Sequence, residues 1–177
     1  RFLFNLRSDI ENQWSVWEEK QIIIDRPNDA GQALSNRVKE DMDPELSEDG
    51  RYIRDYVSDE GYRRLLAIAS LDGLVEASQL SRGLGGASSN VQLMLTRILW
   101  EEYGSGKLER KHSTYFAAML DGMGLDSRPE AYFDLVPWEV LANINHSFMV
   151  SEQKQKFLRY VGGLLYIEVS VPGSFIN

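Results

Sequence analysis

The chain has 177 residues, 43% apolar and 26% charged, enough for the core of one ordinary domain and too apolar for disorder. Asp plus Glu number 27 against 19 Lys plus Arg, a net charge of −8 with no basic tract; such a chain repels phosphate backbones, so no nucleic-acid partner is expected. With no cysteine, disulfides, thiolate nucleophiles, Cys-bound zinc and iron–sulfur clusters are excluded together.

In chain order the pattern is helical throughout, with no convincing alternating strand. An aromatic and aliphatic stripe (Ile10, Trp14, Trp17, Ile22) predicts a helix over about 9–24, ended near Pro27. Residues 29–50 are highly charged with a thin apolar face, either a short helix or a mobile arm. A core helix is expected from an N-cap at Ser58 through Arg82, stopped at Gly83-Leu84-Gly85-Gly86. Ser88-Ser89-Asn90 then caps a helix reaching Tyr103, which Gly104-Ser105-Gly106 interrupts and which resumes through about Asp121. One more helix follows Pro137, and a last one is expected from Ser151 to about Val171, stopped by Pro172-Gly173. Short links between long amphipathic helices make an antiparallel bundle. Residues 1–57 read as a helical segment that covers the core or pairs two subunits into a homodimer, and 58–177 as the core itself. No apolar run nears the ~18 residues of a membrane span and no signal peptide precedes the first helix, so a cytoplasmic protein with no membrane partner is expected. The chain starts at Arg1 rather than Met and reads as part of something longer.

The informative residues are charged ones lying within apolar stripes. On a helix, positions three, four and seven apart share a face. Glu168 shares its face with Val161, Leu164 and Leu165; Glu102 with Leu95, Ile98 and Leu99; Glu76 with Ala69, Asp72, Gly73 and Leu80; His112 with Leu108, Tyr115, Phe116 and Met119. Glu101, one residue from Glu102, has Arg97 a turn back and reads as an ordinary exposed ion pair. A buried carboxylate without a partner costs several kcal/mol against a net stability of about 5–15 kcal/mol. These groups must therefore reach solvent, meet Arg or Lys across the bundle, or hold a metal. Glu102 and His112 would stand ~15 Å and about 80° apart on one straight helix; Gly104 and Gly106 between them supply the bend that lets both point inward. Hard carboxylates with imidazole suit iron or manganese. Glu109, in Glu-x-x-His spacing with His112, is a reserve ligand beside Arg110 and Lys111, and His146, flanked by Asn143 and Asn145, reads as a structural or supporting residue.

The run Glu102-Tyr103-Gly104-Ser105-Gly106 followed by His112, with Glu76 upstream and Gly162-Gly163 leading to Glu168, resembles the haem-oxygenase-like di-iron oxidases and oxygenases, over roughly residues 61–177. The resemblance implies an all-α, haem-oxygenase-like seven-helix bundle, and a metal site in which Glu76, Glu102, His112 and Glu168 correspond to ligands of two Fe(II) ions, with O₂ as co-substrate and no haem. Members oxidise small amine- or acid-bearing metabolites by N-oxygenation, desaturation or cleavage, including the oxygenase domain of N-nitrosourea biosynthesis enzymes. The family completes its site with a later helix bearing a His, an Asp and a second His; nothing after Glu168 matches it, so the core reads as incomplete at its C-terminus. Tyr103, Tyr115, Phe116 and Met119 are candidates to line the approach of a small-molecule substrate, from helical position alone. The first rival is a non-catalytic helical interaction domain in which the same carboxylates pair with Arg. A cofactor-less hydrolase, as in thiamin-salvage proteins, is a weaker one because those use a thiol.

Overall fold

The structure is a computed structural model describing residues 1–22, 29–42, 44–75, 77–85 and 89–176, with the backbone alone over 171–176. Its described residues form α-helices and short 3₁₀ turns without a strand, so the all-α expectation holds. Among them no helix is long and apolar enough to cross a membrane. The chain divides into two compact units, Arg1–Pro44 and Glu45–Asn177.

The first unit holds α1 (Phe2–Gln21) and α2 (Ala30–Met42). The α1 helix starts earlier than its stripe suggested and is laced on its surface by Arg7 to Glu11 (2.6 Å) and by Trp14 Nε1 donating to Glu18. The charged stretch after it is a helix rather than an arm. Asp29 accepts from the Gln32 amide (3.0 Å) and Arg37 meets Asp41 (2.8 Å), local interactions that support a helix with little apolar face.

The second unit begins with α3 (Glu48–Asp55), capped by Ser47, and α4 (Asp59–Gly73), where the Ser58 hydroxyl accepts from the Gly61 amide at 3.1 Å. The single helix expected from Ser58 to Arg82 is two. After α4 the chain leaves the helix at Leu74 and Val75, and Ala77 stands at φ 65° before α5 (Ser78–Gly83). Asp72 and Gly73 are poor helix formers, and the bare Gly73 receives the Phe116 ring, which a Cβ there would meet at 2.6 Å. That contact seats α4 on α7 (His112–Gly122).

Ser89 caps α6 (Asn90–Glu102) by accepting from the Gln92 amide, and Pro137 precedes α8 (Trp138–Glu152). The final helix differs from expectation at both ends. Ser151 stays in α8, Lys154–Lys156 forms a 3₁₀ turn, and α9 (Phe157–Ile176) runs past Pro172. A proline forgoes one backbone hydrogen bond and kinks a helix more readily than it ends one when the flanking sequence is apolar. The core is drawn from Leu66, Ala67, Leu80, Leu95, Leu120, Met149, Val150 and Tyr160, all buried. Arg82 of α5 pairs with Glu152 and lies over the Phe148 ring (4.9 Å), tying α5 to α8. The Tyr160 ring approaches Gly83 on the α9 side.

Candidate metal centre

Glu102 is the last residue of α6, and its side chain is 17% exposed. A carboxylate at a helix C-terminus faces the negative end of the helix dipole, so a cationic or proton-donating partner stabilises it. The chain supplies one within ten residues. Gly104, Ser105 and Gly106 take φ of 64°, 54° and 81°, all left-handed, and a 3₁₀ turn over Leu108–Arg110 leads directly into α7. His112 opens that helix with its Nδ1 2.8 Å from Glu102 Oε2. Two groups that a straight helix would hold ~15 Å apart thus meet at hydrogen-bond distance.

Glu102 also lines a cavity of about 390 Å³ with Glu168, and with Asp72 and Gln79 from the α4–α5 region, His146 of α8 and Tyr160 of α9. Burial pushes the Asp72 carboxyl above its ordinary range, partly offset by the hydrogen bond from Gln79. Burial, and then the charge of Glu168, push the Tyr160 phenol well above its ordinary value, so it stays protonated. The cavity wall is more apolar than polar, with Leu80, Val150 and Leu164 between the charged groups.

Not every inward-facing residue anticipated from periodicity is dry. The His112 side chain is 46% exposed and Glu168 is exposed. Among the described residues α9 packs on α8 and the turn before it, which leaves Leu165, Tyr166 and Ile167 facing solvent beside Glu168. A stripe marks a face and does not by itself supply the helix that covers it.

Residues 63–176 match the family described as iron-containing redox enzyme. This chain belongs to that family. It is also 33% identical over 100 residues to a nitrosourea synthase from Streptomyces achromogenes subsp. streptozoticus, a match covering 56% of this chain and 21% of that protein. The chain therefore spans about a fifth of the length of that relative.

Iron is the metal of this family, and the donor chemistry here fits it: carboxylates from separate helices and an imidazole whose Nδ1 lies 2.8 Å from one of them. Glu102 and Glu168 face one cavity and His112 is joined to it through Glu102. Glu76 lies outside the described residues, and among the described ones no three His, Asp or Glu side chains converge tightly enough to hold an ion. Glu109 is exposed on the 3₁₀ turn, away from the cavity lining. Glu101 makes the surface pair with Arg97 (3.2 Å) that its spacing predicts.

Of the substrate-pocket candidates, Tyr103 borders a second, shallower groove with Trp100, Leu108 and Lys111, and Lys111 sits over its ring at 4.8 Å. Phe116 is packed against Gly73, Tyr115 and Met119 are exposed, and none of these three lines either cavity. Four residues of the first cavity's lining, Asp72, Gln79, Arg159 and Tyr160, carry no mark of a site in the sequence when taken singly. A signal existed. Tyr160, Gly163, Leu164 and Ile167 share one face of α9, two turns along which stands Glu168.

Proposed function

We propose that this chain is the metal-binding part of an O₂-dependent, non-haem di-iron oxygenase that oxidises a small amine- or amino-acid-derived metabolite in natural-product biosynthesis. Family membership supports iron and redox chemistry, and the partial likeness to a nitrosourea synthase supports the biosynthetic setting and the nitrogenous substrate. The observation that carries the reading is the Glu102–His112 contact at the wall of the cavity that Glu168 also lines. Glu76, Glu102, His112 and Glu168 would hold the metal, with His146 as the remaining imidazole at the cavity. Metal ligands bind deprotonated, so a cation held by both Glu102 and His112 would need an ionised carboxylate and a ring nitrogen free of its proton.

Iron bound there supplies the electrons for activating O₂. The chain's own residues do the rest. Leu80, Val150 and Leu164 keep the cavity wall apolar and limit water. The protonated Tyr160 hydroxyl is a hydrogen-bond donor at the same cavity, and Gln79 holds the Asp72 carboxyl beside it. A cytoplasmic homodimer is the assembly in which we place this activity.

Anaerobic Fe(II) titration of the whole protein tests the reading. Uptake is expected in the wild type, and His112→Ala or Glu168→Gln should weaken it at least about tenfold, the scale on which groups around a metal act. A protein that takes up no Fe(II), and in which Glu168→Gln changes the thermal melt alone, would instead be a helical interaction module.

A further inference from the structure

The turn between Glu102 and His112 is closed by one contact in particular. Gly104 is buried at φ 64°, and a Cβ built on it would lie 2.5 Å from the Arg110 carbonyl carbon and 2.6 Å from the Lys111 amide nitrogen. Both are backbone atoms, and Lys111 immediately precedes His112. No rotamer change relieves such a collision; the strand of chain leading into α7 has to move. The left-handed conformation is not the obstacle, because Ser105 adopts φ 54° with a side chain in place. Gly106 offers an internal contrast. At φ 81° its added Cβ would meet the far edge of the Trp100 ring at 2.8 Å, and that ring is 56% exposed and can swing aside.

We propose that Gly104 is a positioning residue: its bare Cα lets the Arg110–Lys111 backbone close onto the end of α6, and this closure sets the distance between Glu102 and His112. Its consequence for iron rests on the reading of those two residues as ligands, whereas the positioning itself does not. A position at which any Cβ would overlap the backbone across the turn admits only glycine. The device acts within the motif spacing without touching the cavity, since neither Gly104 nor Arg110 is among its lining residues.

The test reads His112 without metal. The chain has two histidines, so ¹⁵N-histidine labelling, with His146→Asn to assign the signals, reports which ring nitrogen of His112 holds hydrogen. In the wild type the Glu102 carboxylate 2.8 Å from Nδ1 should favour the Nδ1–H form, which free imidazole disfavours. Gly104→Ala should lose that signature while Gly106→Ala keeps it. A folded Gly104→Ala protein with an unchanged His112 spectrum would overturn the proposal. Should Gly104→Ala not fold, one extra glycine inserted between Gly106 and Lys107 leaves position 104 bare and slackens the closure; it should also lose the Nδ1–H signature, and retaining it overturns the proposal equally. Fe(II) titration of the same variants separates the two readings. Loss of the His112 signature with Fe(II) affinity intact leaves Gly104 as a positioning residue and removes the pair from the metal site, whereas joint loss, by tenfold or more in affinity, supports both.

Discussion

Asp72 shows how one side chain couples the cavity to stability. Its proton is held more tightly in the folded chain than in the unfolded one because burial disfavours the charged form, with the Gln79 hydrogen bond opposing this in part. The folded state therefore binds more protons across that window. Stability falls as pH climbs from the ordinary carboxylate range through the higher range of the folded Asp72. Asp72→Asn removes the titration and keeps a partner for Gln79, so its melting temperature should exceed the wild type at neutral pH and the gap should narrow as pH drops towards 4; thermal melts at matched ionic strength measure it. Glu102, His112 and Glu168 were legible as residues because each interrupts an apolar stripe. Asp72 was visible only as a neighbour of Glu76, and Tyr160 not at all, since a tyrosine in an apolar helix carries no sign of the cavity it borders.

At the scale of elements, the helix starts at Ser58 and Ser89 were readable because capping is a local hydrogen bond. Ser58 and Ser89 each accept from an amide three residues on, and three residues is a distance a sequence displays. Ser58→Ala should cost about 1 kcal/mol, seen as a melting temperature lowered by a few degrees with cavity-dependent properties unchanged. The helix interiors were less readable. The break between α4 and α5 depends on Phe116 packing onto Gly73 from forty-three residues away, and the continuation of α9 past Pro172 depends on a balance between one lost hydrogen bond and the surrounding apolar helix. The turn at 104–106 lies between these cases. Two glycines announced a bend, but that the bend would bring Nδ1 of His112 to 2.8 Å from Glu102 needed the Gly104 contact with the Arg110–Lys111 backbone.

At the scale of the whole molecule, the described residues of the N-terminal unit carry apolar surface and none of them is buried. No residue of α1 is buried, and Phe2, Leu3, Phe4 and Ile10 are 60% exposed or more. Such a surface favours association. We expect the intact chain to sediment as a dimer and a chain lacking residues 1–44 as a monomer; a dimer that survives the deletion would assign the contact to the second unit. The sequence by itself determined the helical class and the helix starts at Ser58, Ser89 and Pro137, because amphipathic period, caps and prolines are written in neighbouring residues. Only the tertiary structure decided which of those groups share a cavity, which of them stay wet, and how two turns of backbone close the distance between Glu102 and His112. These depend on contacts between segments far apart in the chain, and burial, electrostatics and chemistry all follow from such contacts.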